Sequence, residues 1–264
     1  MQWIKSTIRF SRRFFLNICA LLYSTPIKET GSAIIIAPHP DDEVFGCGGF
    51  ISKWTKSNKK IEILFLSKGD ASHKGCCDVL INQVGAHRKE LAERAAGFLG
   101  VSHQQLHFLE GKDGRLPHKG RNTFIDMTAQ LTAVIKRAAP EMVFCPHPFE
   151  GWPDHIAAME LTVAAINILP AESRPKLYYY CVWFWFSMPL RKAFQLNWKK
   201  ALLLDISKQL PLKREAMNIY LDSFAPCGNP WVGKLPKEFL RAFDWDKELF
   251  FEADSVPHLS YKEQ

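Results

Sequence analysis

Between positions 38 and 43 the chain reads Pro-His-Pro-Asp-Asp-Glu, which sets one imidazole and three carboxylates side by side. Adjacent carboxylates repel one another unless a cation neutralises them or one keeps a proton, and His39 adds a nitrogen donor to the group. Much farther along, Trp152-Pro153-Asp154-His155 brings a second imidazole. Two imidazoles and a carboxylate leave positions open for water and substrate, which is the pattern of a catalytic rather than a structural metal site. Acidic residues after a strand also cap helices, so these carboxylates serve either a metal or the N-terminus of the next helix.

For the two segments to act together, the fold must bring them to one edge. Ala33–Ala37 (AIIIA) is a continuous apolar run, as expected of a strand buried on both faces, and it ends directly in Pro38-His39. Met142–Cys145 reads as another strand and runs into the segment His147–His155. Lys60–Ser67, Leu106–Leu109, Leu177–Phe186, Ala201–Ile206 and Glu248–Glu252 complete the predicted strands. Helical spacing is predicted at Phe50–Ser57, at Ala86–Leu99 with Gly100 as its stop, from Asn122 as N-cap to Ala139, after His155 to Asn167, and at Leu212–Leu221. Gly46–Gly49 reads as a flexible link, and Gly69–Gly85 and Gly111–Asn122 as loops. Strands alternating with helices predict an α/β fold: a Rossmann-like, mostly parallel sheet flanked by helices, in one domain over residues 31–264. Ligands bind such sheets outside the carboxyl ends of the strands. The two chemistry-bearing segments are therefore expected at the same edge.

The 264 residues are 47% apolar and 23% charged, the composition of a folded domain with a full core. A net charge of +7 admits nucleic acid, anionic membranes or phosphorylated substrates. The excess is concentrated near the N-terminus and no nucleic-acid motif occurs, so no nucleic-acid partner is expected. The seven cysteines are odd in number and form no CxxC pair, which suits reduced thiols in a cytoplasmic setting. Adjacent Cys76 and Cys77 are poorly placed to ligate one metal.

Residues 1–30 differ from the rest and read as a basic amphipathic helix followed by a linker at Pro26–Gly31. No acidic residue precedes Glu29. On a helix, Lys5, Arg9, Arg12 and Arg13 share one arc, while Trp3, Ile4, Ile8, Phe10, Phe14, Phe15, Ile18, Leu21 and Leu22 lie opposite, with Leu16 the exception. This pattern predicts either peripheral membrane contact through residues 1–23, on the cytoplasmic face, or packing on the chain's own domain or a partner subunit. The apolar run Phe14–Tyr23 is shorter than the roughly 20 residues of a transmembrane helix, and it ends without a signal-peptidase pattern.

The motifs in this order resemble the PIG-L/LmbE-like family of zinc-dependent N-deacetylases. That family includes N-acetylglucosaminyl-phosphatidylinositol de-N-acetylases and bacterial enzymes acting on N-acetylglucosamine conjugates. Arg88-Lys89-Glu90-Leu91, Asp113-Gly114-Arg115-Leu116, Asp205-Ile206-Ser207 and Glu248-Leu249-Phe250 fall in the family's order. The resemblance implies Zn2+ held by His39, Asp42 and His155, with Asp41 as general base. It also implies removal of an N-acetyl group from a GlcNAc-type amino sugar conjugate in surface-glycan or glycolipid assembly. Zinc would make water nucleophilic near neutral pH and polarise the amide carbonyl. Asp41 would take the proton and pass it to the departing amine.

Around this centre, Glu43 is expected to orient the loop or cap the next helix. Asp113 matches a position that contacts sugar hydroxyls, or is the turn residue of Asp-Gly. Arg88 binds a substrate anion or fixes the carboxylates of the metal loop. The aromatic stretch Tyr178–Phe186 is a core strand with its exit loop, or the wall of an acceptor groove. One departure stands out. The family's second motif commonly reads His-Pro-Asp-His, its first His stabilising the oxyanion, and here that place is Trp152. An indole N–H donates but carries no charge. His147 is the candidate replacement, a core histidine being the other reading. Trp152 itself, with Arg88 and Asp113, is expected to bind substrate. The substitution also motivates an alternative: a metal-retaining sugar-binding relative with little or no catalysis. Two His and one carboxylate describe iron(II) oxygenases as well, but the parallel-type strands argue against that class.

Overall fold

The apolar run Ala33–Ala37 folds as a strand whose five residues are all buried, as a strand covered on both faces must be. The computed structural model describes residues 2–28, 30–75 and 79–253, with side chains from Ser11 onward except that of Leu190. Cys76, Cys77 and the last eleven positions of the expected domain, 254–264, lie outside the described residues. In chain order the elements are α1 (Gln2–Tyr23), β1 (Thr25–Pro26), β2 (Ala33–Ala37), α2 (Asp42–Lys56), β3 (Ile61–Ser67), α3 (Ile81–Phe98), β4 (Leu106–Gly111), α4 (Asn122–Ala138), β5 (Met142–Pro146), α5 (Pro153–Ile168), β6 (Lys176–Tyr180), α6 (Phe184–Ser187), α7 (Leu190–Ala193), β7 (Ala201–Asp205), α8 (Leu210–Leu221), α9 (Lys237–Leu240) and β8 (Lys247–Glu252).

The strands form one sheet in the order β1-β7-β8-β6-β5-β2-β3-β4. Neighbours run parallel except β8, which is antiparallel to β6 and β7. Helices α2 and α3 pack with α8, α4 packs with α5, and both α2 and α5 contact β2. The α/β class and mostly parallel sheet are as the sequence predicts. The order turns back at β2: the chain moves to β3 on one side and later returns as β5 on the other. That switch point opens a crevice beyond the carboxyl ends of β2 and β5, where the two motif segments emerge.

Three local expectations fail for physical reasons. Helix α2 starts at Asp42 and runs unbroken through Gly46, Gly48 and Gly49 instead of pausing there. The glycines let the helix come close to its neighbours: a Cβ on Gly46 would overlap the ring of Tyr180, and one on Gly49 the side chain of Ile206. Strand β6 stops at Tyr180 rather than Phe186, because the Glu150 carboxylate accepts the N–H groups of Val182 and Trp183 and draws the chain out of the ladder. The segment read as a linker, Pro26–Gly31, starts inside β1: Pro26 is already paired with Leu203 of β7 at the sheet edge.

Helix α1 packs on α6, α9 and β7. Among its described side chains, the buried ones are Arg12, Leu16, Cys19 and Ala20. The Arg12 guanidinium donates to the carbonyls of Met188 (2.8 Å), Trp185 (3.1 Å) and Phe186. Packing on the chain's own domain is therefore present. The side turned inward is the arc of Arg12 and Leu16, not the broad apolar one, because a guanidinium there satisfies the free carbonyls at the end of α6.

Candidate functional site

The loop after β2 is pinned beside β3: the Ser67 N–H (3.1 Å) and hydroxyl (2.9 Å) both donate to the Pro38 carbonyl. This delivers His39, Asp41 and Asp42 to the crevice, where Pro153 starts α5 and its first turn supplies Asp154 and His155. His39 Nδ1 lies 3.2 Å from Asp42 Oδ2, and His155 Nε2 lies 3.3 Å from Asp42 Oδ1. Around a tetrahedral ion with ligand bonds of about 2.0–2.1 Å, neighbouring ligand atoms stand roughly 3.3 Å apart. The three side chains thus already have the spacing of metal ligands, and their donor atoms all fall within 4.8 Å of one another.

Each imidazole is backed on its other side by a carboxylate. His39 Nε2 is 3.0 Å from Asp113 Oδ1 and 3.1 Å from Asp154 Oδ2, and His155 Nδ1 is 3.4 Å from Glu150 Oε2. Asp154 is itself held by the N–H groups of Gly114 (2.7 Å) and Leu116 (3.1 Å). The hydrogen bond to Asp154 fixes the His39 ring and leaves its inner nitrogen as an electron-pair donor, while Glu150 faces His155 as a charge partner without a formed hydrogen bond. The donor set and its supports fit a divalent metal ion. Burial pushes the Asp42 carboxyl up, but His155 and His39 outweigh it and hold the group below the usual carboxylate range.

Asp41 is the strained member of the loop, with φ 127° and ψ −32°. A non-glycine residue in such a conformation costs on the order of 1–3 kcal/mol. Its N–H donates to Glu43 Oε2 (2.9 Å), and Glu43 Oε1 accepts from the Tyr220 hydroxyl (2.5 Å). Glu43 therefore orients the loop, one of its two expected roles. Arg88 Nη2 sits 3.3 Å from Asp41 Oδ2, while the same guanidinium donates to the carbonyls of Pro40 and Gly69. Of the two roles read for Arg88, fixing the metal-loop carboxylates is the one its contacts support: it borders the cavity, but its donors face the protein. Burial and the neighbouring Asp42 raise the Asp41 carboxyl to about 7, against the opposing pull of Arg88, His39 and His155.

A cavity of about 420 Å³ opens onto these groups. His39, Asp41, Asp42, Asp113 and His155 line its polar part; Trp152, Trp183, Leu235 and Phe239 give it an apolar part. Trp152 stands at the mouth, 46% exposed. Its ring centre is 4.7 Å from that of Trp183, which is 4.3 Å from that of Phe239. The aromatic stretch thus divides: Tyr178–Tyr180 is core strand, and Trp183 is cavity wall. Asp113 lines the cavity, but its carboxylate is engaged by His39 and by the Ala71 N–H at 2.7 Å.

His147 is a correction. It is not among the cavity-lining residues. It is buried among the rings of Phe149, Tyr179, Phe184 and Phe251, and its Nδ1 accepts the Phe149 N–H. A histidine enclosed in this way cannot donate to an oxyanion in the crevice. Burial, with Lys192 adding to it, drives its pKa down to about 3. Between the unfolded value of about 6.5 and that lower value, the unfolded chain binds a proton that the native chain refuses. Stability is consequently lost as pH falls below about 6.5, by about 1.4 kcal/mol per unit from this residue. Urea unfolding of a His147→Phe variant at about pH 7 and about pH 5 is expected to show a smaller acid loss than wild type. Equal losses would refute the assignment.

Glu150 is the functional residue that sequence reasoning missed. It is fully buried, and besides facing His155 it accepts the Val182 N–H (2.7 Å) and the Trp183 N–H. It thereby ties a metal-site histidine to the aromatic wall. Its position two residues before Trp152 was the only signal. A Glu150→Gln variant is expected to bind metal about 10–100-fold more weakly, measured by competition with a chromophoric chelator. Unchanged affinity would reduce Glu150 to a purely structural role.

The chain is 31% identical over 159 residues to diacetylchitobiose deacetylase of Thermococcus kodakarensis, covering 58% of this chain and 56% of that protein. It is 27% identical over 171 residues to the 1D-myo-inositol 2-acetamido-2-deoxy-alpha-D-glucopyranoside deacetylase of Mycolicibacterium gilvum, covering 57% and 59%. The match thus spans little more than half the length of these curated relatives. Among solved structures, the 4-carboxy-2-hydroxymuconate hydratase of Pseudomonas putida superposes with a TM-score of 0.62 at 18% identity, covering 89% of this chain and all of the other (100%), a likeness of fold alone. The profile of the family described as GlcNAc-PI de-N-acetylase matches residues 34–166, which hold every residue of the metal-site set, and the chain belongs to that family, PIG-L.

Proposed function

We propose that this chain is a zinc-dependent amide hydrolase that removes the N-acetyl group of a GlcNAc-type amino sugar conjugate, in the assembly of a surface glycan or glycolipid. The observation that carries the reading is the placement of Asp41 beside the His39, Asp42 and His155 donor set in one cavity. The curated relatives, named as deacetylases of diacetylchitobiose and of an inositol 2-acetamido-2-deoxyglucoside, support the substrate class.

Zinc held by His39, Asp42 and His155 would supply Lewis acidity towards the amide carbonyl and lower the pKa of water. Asp41, steadied by Arg88, takes the proton of the attacking water and returns it to the departing amine. Asp113 keeps His39 in place and borders the space for the sugar hydroxyls. Trp152 and Trp183 offer flat apolar faces to the sugar ring.

The test is release of free amine from a panel of N-acetylhexosamine conjugates, sugar nucleotides and lipid-linked sugars, with and without a chelator. Chelator-sensitive release from at least one is expected. Zinc binding with no release from any would favour the sugar-binding alternative, which Trp152 motivates. Restoring the family's histidine gives a sharper readout. Trp152→His is expected to raise kcat, by up to about 10²-fold if the indole is a poor oxyanion donor. An unchanged or lower kcat would mean that Trp152 does not limit the reaction.

A further inference from the structure

With Arg12, Leu16, Cys19 and Ala20 turned inward, α1 presents its opposite side to solvent. Phe14, Phe15, Ile18, Leu21, Leu22 and Tyr23 are between 37% and 69% exposed. Phe194, just past α7 and 76% exposed, continues the surface with its ring centre 5.9 Å from that of Phe15. These are seven of the fourteen large hydrophobic side chains exposed among the described residues, so the exposure is a patch rather than scatter.

Charge decides what covers it. Residues 1–28 contain no acid, and the stretch Leu190–Lys200 that carries Phe194 has Arg191, Lys192, Lys199 and Lys200 and no acid either. Two copies of this chain meeting face to face would bring two basic Leu190–Lys200 segments together, with no acid on either α1 to offset them, which opposes association. An anionic bilayer complements both parts: headgroups meet the basic side chains of the Leu190–Lys200 segment, and the acyl boundary takes the aromatic and aliphatic side chains. No helix among the described residues is long and apolar enough to cross a membrane, so α1 would lie in the interface plane.

We propose that α1, together with the segment around Phe194, docks this protein on the surface of an anionic membrane. The inference is independent of the deacetylase reading. Its geometry bears on the cavity nonetheless. Helix α1 rests on α6 and α9, next to Trp183 and carrying Phe239, so docking sets the aromatic wall of the cavity on elements that touch the membrane-bound helix.

The test is co-sedimentation of the full chain with vesicles of phosphatidylcholine alone and with about 30% phosphatidylglycerol. The mixed vesicles are expected to bind it at least about tenfold more tightly than the neutral ones, and less so in high salt. A Phe14→Ser/Leu21→Ser/Leu22→Ser variant is expected to lose about tenfold or more of that binding with unchanged Tm. Should its Tm fall, Leu22→Ser alone serves, at the most exposed large apolar side chain of α1 among the described residues. Equal binding to both vesicles, or binding insensitive to these substitutions, would overturn the proposal. So would sedimentation velocity showing a dimer that the same substitutions dissociate, since a second copy would then cover the patch.

Discussion

Asp42→Asn is expected to abolish tight metal binding and reduce amide hydrolysis by at least about 10³-fold. Asp42 is the hinge of the donor set: one carboxylate oxygen faces His39 Nδ1 at 3.2 Å and the other faces His155 Nε2 at 3.3 Å. An amide of the same shape keeps the packing but removes the only negative charge among the three donors, and it turns an NH2 towards one imidazole. The metal-free fold should survive. Asp42 repels the buried Asp41 carboxyl, so neutralising it relieves a like-charge contact and offsets the lost interactions with the imidazoles. Metal content after dialysis, measured beside Tm and turnover, separates the outcomes. Stoichiometric metal in a folded but inactive variant would place the ion elsewhere, for instance on His39 with Asp113 and Asp154, which are also close enough together to hold one.

The elements that place this site were legible in sequence where a short-range pattern is fully determined by burial. Ala33–Ala37 has no polar residue, and only a strand covered on both faces suits it. Met142–Cys145 is the same case, and the observed strand extends it by one residue to Pro146. Once both were strands of a parallel sheet, the edge at which His39 and His155 meet followed from the rule for such sheets. What sequence did not show depended on partners far away in the chain. The glycines of α2 read as a flexible link, because nothing near them reveals that Tyr180 and Ile206 will press on the helix. His147 stood in a motif-like Pro-His-Pro, and its enclosure by rings from β6, α6 and β8 appears only when the sheet is assembled. The inward face of α1 was not legible for the same reason: the acceptors of Arg12 are carbonyls of the segment Trp185–Met188. Amphipathic pattern ranks faces by side-chain type and cannot register free backbone groups.

Asp41→Asn is expected to separate metal binding from chemistry, lowering kcat by about 10²–10⁴-fold with metal affinity nearly unchanged. Asp41 contributes no atom to the donor set, and its nearest charged contact is Arg88 Nη2 at 3.3 Å. Asparagine tolerates unusual backbone regions as readily as aspartate does, and the main-chain N–H that Glu43 accepts is retained. The loop should therefore hold its shape at φ 127°. The substitution weakens one ion pair of a buried guanidinium, but Arg88 keeps the Pro40 and Gly69 carbonyls, and the repulsion from Asp42 disappears. An amide can neither accept the proton of the attacking water nor return it to the amine. The loss should thus fall on kcat rather than KM, and the variant should still bind an N-acetylated sugar. If Asp41→Asn turned over at the wild-type rate, proton transfer would belong to another group in the cavity. If wild type and variant alike bound the sugar and metal without turnover, and the variant kept full biological function, the chain would be a binding relative in which Asp41 only shapes the loop.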